Sequence, residues 1–237
     1  MKRRSGTHRS PVRFLARMLL GAKPALFPDF IEPCIPTLRD RVPAGSGWLF
    51  EIKFDGYRVQ LHLKAGHPAI LTRGGYDWTG RFAPIAHALA DWPANDLILD
   101  GEVIVPDEKG IARFSELQAD LASGRKDRMA CYVFDFLHFD GFDLCKAPLT
   151  ERKRVLRELM ASAPKGLILY SDHLETDGAA AYKHACAMGL EGIICKRADA
   201  PYRSEGTMTK TGDRSYCLVG GWEMLAPKDC PGVAISG

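Results

Sequence analysis

The stretch EIKFDGYR, residues 51–58, decides how the rest of the chain is interpreted. It places a single lysine, Lys53, among apolar neighbours and just before an Asp-Gly pair. Such a pair between apolar residues is the strongest short-range signal for a two-residue β-turn. On this local pattern alone, WLFEIK (48–53) and GYRVQLHLK (56–64) form a hairpin, and Lys53 is an ordinary lysine on a strand.

The composition is that of a soluble globular protein that can bury a substantial core. Of the 237 residues, 46% are hydrophobic and 26% are charged. No run approaches the roughly 18 apolar residues of a membrane span. The cysteines form no CxxC pair and the histidines no HExxH motif. We therefore expect no membrane association, no zinc site and no disulfide framework, and a reducing compartment.

The positive charge is concentrated at the start of the chain. The first 28 residues carry seven lysines and arginines and no acidic residue, whereas the whole chain has a formal charge of only +3. Such segments are most often disordered, so we predict a basic, disordered tail over residues 1–29. Two alternatives stay open: an arm that binds DNA phosphates, and a transit peptide of the mitochondrial type.

Hydrophobic periodicity predicts many short strands with helices between them. Further strands are predicted over 69–73, 97–105, 131–139, 167–170 and 191–197. Helices are predicted over about 80–92, 114–122, 150–163 and 176–188. This pattern predicts an α+β fold with largely antiparallel sheets flanked by helices. In the strand after the Asp-Gly pair, alternation places Arg58 on the polar face, where it can reach a ligand.

Beyond residue 203 the pattern changes. Residues 204–237 are rich in glycine and sustain neither a period of 2 nor one of 3.6. We predict an irregular segment with at most one short strand, near Tyr216–Val219.

Four more motifs follow EIKFDGYR in order: TRGGYDWTGRF (72–82), LDGEVIV (99–105), YVFDFLHFDG (132–141) and EGIICKRADAPYR (191–203). The first motif matches KxDGxR, and the series resembles the covalent nucleotidyltransferases: ATP-dependent DNA ligases, RNA ligases and mRNA capping enzymes. The resemblance is to the bacterial end-joining ligases in particular. It implies a nucleotidyltransferase (ATP-grasp-like) domain over residues 30–203.

The resemblance implies a three-step reaction. Lys53 attacks the α-phosphate of ATP and becomes lysyl-AMP, the AMP passes to the 5′-phosphate of a nick, and the 3′-hydroxyl then displaces AMP. All three steps are phosphoryl transfers, in which positioning and charge neutralisation dominate catalysis. The implied ligands are ATP and Mg²⁺ or Mn²⁺, the implied partner is nicked double-stranded DNA, and the implied location is the bacterial cytoplasm, at the nucleoid.

The same resemblance assigns residues to the adenosine part of the nucleotide. It implies that Glu51 helps to recognise adenine, that Phe134 stacks on the adenine face, and that Glu102 holds the ribose hydroxyls. Each residue has a simpler interpretation. Phe134 also suits a core position, and Glu102 suits a solvated hairpin end.

Four residues are assigned to the phosphates and the metal. Arg58 and Arg73 are the implied phosphate or ribose contacts, for which the guanidinium fork is suited. Lys196 is the implied α-phosphate contact and Glu191 the implied metal-associated carboxylate. Arg73 also suits a plain surface position, and Lys196 an exposed strand end.

The chain departs from the family pattern after residue 203. The family's next motif, WxKxK, contacts the nucleotide phosphates, but residues 204–217 contain no tryptophan, and Trp222 is followed by Met224 and Ala226 where the lysines belong. We therefore expect a frameshifted or truncated C-terminus without the OB-fold domain that follows in the family. Self-adenylation is expected to be weak or absent, and sealing of a pre-adenylated nick less affected.

Two other functions stay open on the sequence. One is a non-catalytic remnant that binds nucleotide or DNA, and the other is a related nucleotidyltransferase that acts on RNA ends or caps. The motifs TRGGYDWT and EGIICKRADAPYR argue against the RNA enzyme. An OB domain acting in trans and an end-joining partner are further partners that the sequence leaves open.

Overall fold

The computed structural model describes residues 11–108, 110–174, 176–203 and 216–220. In chain order, the strands are β1 (Lys23–Pro24), β2 (Thr37–Leu38), β3 (Trp48–Ile52), β4 (Tyr57–Lys64), β5 (His67–Thr72), β6 (Asp96–Ile104), β7 (Ala130–Phe139), β8 (Phe142–Asp143), β9 (Ile168–Tyr170), β10 (Gly192–Arg197) and β11 (Tyr216–Gly220). The helices are α1 (Pro11–Met18), α2 (Ala83–Ala90), α3 (Phe114–Ser123), α4 (Leu149–Ser162) and α5 (Gly178–Ala187). The predicted α+β fold with largely antiparallel sheets is confirmed.

The larger sheet has the strand order β1-β8-β7-β6-β4-β5, with β9 beside β7. Its pairings are antiparallel except for β7 with β9. The main core lies between this sheet and helices α1, α2 and α4. Alternate residues of β4, namely Val59, Leu61 and Leu63, are buried in that core, as the predicted alternation requires. The opposite face of β4 is thereby turned toward the polar residues described below.

The smaller sheet has the order β2-β11-β10-β3. Strand β10 is antiparallel to both β3 and β11, whereas β2 is parallel to β11. Helix α5 covers one face through Ala181 and Ala185, which pack with Phe50, Ile193 and other residues in a second core. The other face of the smaller sheet is free to form a wall of the site.

The hairpin predicted around the Asp-Gly pair is wrong. Strand β3 pairs with β10 and β4 pairs with β5 and β6, so the chain passes from one sheet to the other at this point. Asp55 accepts a hydrogen bond from the backbone N–H of Phe114 at 3.0 Å. A Cβ on Gly56 would overlap the carbonyl oxygen of Val103. Asp55 and Gly56 therefore lie where the chain crosses between the two closely packed sheets, and only glycine fits at position 56.

The predicted disorder of residues 1–29 does not hold for residues 11–18, which form helix α1. Val12 and Ala16 lie four residues apart on one face of this helix, are buried, and belong to the main core. The many arginines in this segment led to the prediction of a disordered tail, and the short apolar face of the helix was not recognised. Residues 1–10 lie outside the described residues, and the boundary at residue 29 stays a prediction.

The predicted strand near Tyr216–Val219 is confirmed by β11. The remaining expectations for the C-terminal segment, including those about Trp222, lie outside the described residues. Within the ranges that the structure describes, no helix combines the length and the apolar character needed to cross a bilayer.

Candidate active site

A cavity of about 660 Å³ lies between the two sheets. Seven of the eight residues singled out in the sequence line it: Glu51, Lys53, Arg58, Arg73, Glu102, Phe134 and Lys196. The eighth, Glu191, contacts the Nζ of Lys53. The structure thus brings together residues from five separate sequence motifs, although their individual roles stay predictions.

Cross-strand register explains how the smaller sheet builds one wall. Ile194 on β10 lies opposite Glu51 on β3 and opposite Leu218 on β11. Two positions along, Lys196 lies opposite Tyr216. These five residues all line the cavity, because side chains two positions apart share a face of a strand. The alternate residues point into the second core instead.

Lys53 follows β3 directly, and its backbone N–H donates to the carbonyl of Gly192 at 3.0 Å. Its side chain is 24% exposed, and that of Glu191 is 35% exposed. The amine is therefore anchored at the wall and is accessible from the cavity. The second carboxylate oxygen of Glu191, Oε2, is buried and has no hydrogen-bond partner in the part of the chain that the structure describes.

Arg58 is held by a fully buried carboxylate that the sequence reasoning had not singled out. Its Nε and Nη2 donate to the two oxygens of Asp100 at 3.1 and 2.7 Å, and its Nη1 donates to the carbonyl of Cys34 at 2.6 Å. The hydroxyl of Tyr202 also donates to Asp100, at 2.7 Å. Burial opposes the charge on Arg58, but Asp100 outweighs it and holds the pKa of Arg58 above its ordinary value. The guanidinium is thus a fixed positive charge.

Glu51 accepts hydrogen bonds from two lysines. The Nζ of Lys153, on α4, lies 2.8 Å from Oε1, and the Nζ of Lys196 lies 2.6 Å from Oε2. The ammonium of Lys196 also lies 4.5 Å from the ring centre of Phe134, and the guanidinium carbon of Arg58 lies 5.6 Å from it. Phe134 is half-buried at the cavity wall, so its ring contributes to the cavity rather than only to the core.

Sequence reasoning missed Asp100, Tyr202 and Lys153. Asp100 and Tyr202 lie inside quoted motifs, next to the glycine of LDGE and the arginine of PYR. Lys153 lies in the basic run ERKR of α4, which looks like a solvated helix face. Nothing local in that run distinguishes the buried lysine from its exposed neighbour Arg154.

Glu102 is placed where its carboxyl group titrates near neutral pH. The backbone N–H of Gly56 donates to its Oε1 at 3.1 Å. Burial raises the pKa of Glu102 to about 7, against the opposing effects of Arg58 and Lys53. A carboxyl group with this pKa can either donate or accept a hydrogen bond at physiological pH.

We expect Glu102→Gln to stabilise the protein at about pH 8 and to have little effect at about pH 4, below the unfolded pKa of 4.5. Folding raises the pKa of Glu102 from 4.5 to about 7. Below the unfolded pKa the carboxyl group is protonated in both the folded and the unfolded protein, and the folded protein then has its full stability. Part of this stability is lost as the pH rises through the folded value, at a cost of about 3 kcal/mol. Urea unfolding at the two pH values measures this difference. Glu158→Gln, at an exposed position, is the control, and an effect of Glu102→Gln that does not change with pH would contradict the prediction.

The described residues contain no group of three or more His, Cys, Asp or Glu side chains that could hold a metal ion. Glu191 nevertheless offers a buried, unpaired oxygen beside Lys53. Mg²⁺ is commonly bound through one or two carboxylates, with phosphates and water completing its shell. The residues present therefore fit a magnesium ion that arrives with a phosphate-bearing ligand.

A protein-family model described as "ATP dependent DNA ligase domain" matches residues 36–211. The multifunctional non-homologous end joining protein LigD of Pseudomonas aeruginosa is 36% identical over 177 residues, which are 75% of this chain and 21% of LigD. A probable DNA ligase of Mycobacterium sp. (strain KMS) is 34% identical over 167 residues, which are 68% of this chain and 31% of the relative. The chain thus spans about a fifth to a third of the length of these relatives.

Solved structures agree with the family match. The ligase domain of M. tuberculosis LigD superposes with a TM-score of 0.63 at 27% identity, covering 80% of this chain and 59% of that one. A mycobacterial DNA ligase D complexed with ATP and MES gives 0.64 at 27% identity, covering 81% and 60%. The family model, the relatives and the shared nucleotidyltransferase fold lead to one conclusion. The chain belongs to the ATP-dependent DNA ligase family.

Proposed function

We propose that this domain, placed over residues 30–203, seals nicks in double-stranded DNA through AMP bound covalently to Lys53. The observation that carries the proposal is the position of the Lys53 amine: it contacts Glu191 at the edge of a cavity lined by Arg58, Glu102 and Lys196. A nucleophilic amine among cationic groups suits attack on a phosphate.

In the first step the neutral amine of Lys53 attacks the α-phosphorus of ATP. The N–P bond forms as the bond from the α-phosphorus to the bridging oxygen breaks, and pyrophosphate leaves. Glu191, whose Oε1 contacts Nζ, is the group that accepts the proton of the amine. The fixed positive charge of Arg58 and the ammonium of Lys196 stabilise the charge on the phosphate oxygens.

In the later steps AMP moves from Lys53 to the 5′-phosphate of the nick. The 3′-hydroxyl then attacks that phosphate and AMP leaves, so that one phosphodiester bond is formed for each ATP cleaved. Arg73 is exposed and lines the cavity, a position that suits contact with the incoming DNA phosphate.

The other cavity residues suit the adenosine part of the nucleotide. Phe134 offers a ring for stacking, and Glu102 can hydrogen-bond ribose hydroxyls in either protonation state. Glu51 faces the cavity, but both of its oxygens already accept from lysines. Contact between Glu51 and adenine therefore stays a prediction.

Mg²⁺ or Mn²⁺ is the proposed metal, with the free oxygen of Glu191 as its ligand from this chain. When bound, the ion neutralises phosphate charge. The proposed setting is the bacterial cytoplasm at the nucleoid, where nicked DNA is the partner. An end-joining partner or an OB domain acting in trans would add further contacts to the duplex.

A second candidate function is that of a non-catalytic remnant that binds nucleotide or DNA. The observation that favours it concerns β11, which pairs with β10 in the smaller sheet. This strand lines the cavity with Tyr216 and Leu218, neither of which carries a positive charge. In the family pattern, the WxKxK motif, whose lysines contact the nucleotide phosphates, is expected shortly past PYR (201–203), in the region where β11 lies. This candidate predicts a protein that binds ATP but seals neither an ordinary nor a pre-adenylated nick.

One experiment separates the two candidates. The protein is incubated with Mg²⁺ and either a nicked duplex carrying a pre-adenylated 5′ end or an ordinary nick with ATP. We expect sealing of the pre-adenylated nick and slower sealing of the ordinary one, with GTP and nicked RNA as inactive controls. Binding of ATP without sealing of either nick would support the second candidate and contradict the first.

A further inference from the structure

Three charged side chains are buried together at the cavity wall, and two of them, Glu51 and Lys196, line the cavity. Glu51, Lys153 and Lys196 are 2%, 2% and 5% exposed. The carboxylate of Glu51 lies between the two ammonium groups, each within 2.8 Å of one of its oxygens. The cluster therefore contains two positive charges and one negative charge. A single ion pair would suffice to neutralise Glu51, so the second lysine needs an explanation.

The two lysines differ in what else they contact. Lys196 lines the cavity and its ammonium lies over the ring of Phe134. Lys153 does not line the cavity. Its ammonium also donates to the carbonyl of Ser171 at 2.8 Å and lies 5.1 Å from the ring centre of Tyr170. Lys153 is thus fixed from behind, whereas Lys196 faces the space that a ligand would enter.

Helix α4 holds Lys153 in this place through the residue before it. Arg152 is fully buried and donates to both oxygens of Asp135 at 2.7 and 2.9 Å. It also donates to the backbone carbonyls of Ala147 and Ala200. This turn of the helix is therefore anchored to β7 and to the segment after β10, and Lys153 cannot follow Lys196 toward the cavity.

The cost of leaving a buried charge unpaired explains why Glu51 has Lys153 as a second partner. Removing one partner of a buried pair is costly because the other charge is left uncompensated. If Lys196 were the only partner of Glu51, any movement of Lys196 to a phosphate would leave the carboxylate buried and unpaired. With Lys153 in place, Glu51 keeps a partner when Lys196 turns away.

We propose that Lys153 is a positioning residue that keeps Glu51 paired, so that Lys196 is free to bind the phosphate of an adenine nucleotide. The inference rests on the proposed function and deepens it, because it assigns one lysine to the ligand and the other to the protein. Lys153 itself touches no substrate in this account.

The test compares two ligands that differ only in the phosphate. Equilibrium dialysis measures the binding of adenosine and of AMP to the wild-type protein, to Lys153→Met and to Lys153→Arg. We expect Lys153→Met to weaken the binding of AMP by at least about tenfold, because a charged hydrogen-bond partner is lost. Adenosine binding should stay unchanged, and Lys153→Arg should restore most of the affinity for AMP. A merely structural defect would weaken both ligands equally.

The double variant Glu51→Gln/Lys153→Met provides a second measurement. A neutral amide at position 51 no longer retains Lys196, so this variant should bind AMP more tightly than Lys153→Met alone. Thermal unfolding establishes that each variant is folded. Either equal weakening of adenosine and AMP binding in Lys153→Met, or unchanged AMP binding in that variant, would overturn this inference but not the proposed function. Failure of the wild-type protein to bind AMP would overturn the proposed function together with it.

Discussion

Lys53→Ala is expected to abolish the transfer of labelled AMP from ATP to the protein. The loss should exceed about a thousandfold, since no other group can replace a covalent nucleophile. Lys153 donates to Glu51 and does not line the cavity, and Lys196 is the proposed phosphate contact, so neither is placed to substitute for it. The measurement is incubation with ATP labelled at the α-phosphate and Mg²⁺, followed by denaturing electrophoresis. Long incubations are needed because transfer by the wild-type protein is expected to be slow.

Two further variants make this result interpretable. Lys53→Arg keeps the positive charge but not the nucleophile, and should be as inactive as Lys53→Ala. Lys183→Ala removes an exposed lysine on α5 and should label like the wild-type protein. Binding of AMP by Lys53→Ala would demonstrate that the cavity is intact. Equal labelling of wild-type and Lys53→Ala proteins would remove Lys53 from the mechanism.

Leu218→Lys is expected to accelerate AMP transfer by about a hundredfold, the order of effect found for one donor to a transition-state oxyanion. Leu218 lies opposite Ile194, which lies opposite Glu51, and all three line the cavity. A lysine at this position would direct its ammonium toward the same space, with its apolar stem against the wall. It would supply a positive charge of the kind that the family's WxKxK motif carries shortly past PYR.

The labelling rate of Leu218→Lys is compared with that of Leu218→Met, which has similar volume but no charge. The gain should disappear when Lys53→Ala is added, because the new lysine assists the transfer and does not replace the nucleophile. A folded Leu218→Lys protein that labels no faster than Leu218→Met would mean that the phosphates do not reach β11.

The sequence predicted the residues of the cavity better than the way in which the chain builds it. Lys53, Arg58 and Glu102 belong to short motifs whose order along the chain carries the family signal, and the structure places them around one cavity. The hairpin failed because an Asp-Gly pair reports only local turn preference. Strand β3 pairs with β10, far along the chain, and no local pattern encodes that pairing.

The buried charges illustrate a second limit of local patterns. Hydrophobic periodicity predicted the helix α4, yet Arg152 and Lys153 of this helix are buried as well as its apolar residues. Lys153 is separated from Glu51 by 102 residues. Burial of such a side chain is favourable only when its partner is in place, so composition and periodicity describe it as a surface residue. Helix α1 was missed for the related reason that arginines outweighed its two small buried residues.

Peptide mass spectrometry of the protein after incubation with ATP and Mg²⁺ tests the central claim most directly. We expect the mass of AMP to be added to the peptide that contains Lys53 and to no other lysine-containing peptide. The addition should be lost in Lys53→Ala and increased in Leu218→Lys. AMP found instead on the peptide that contains Lys153 or Lys196 would contradict the account.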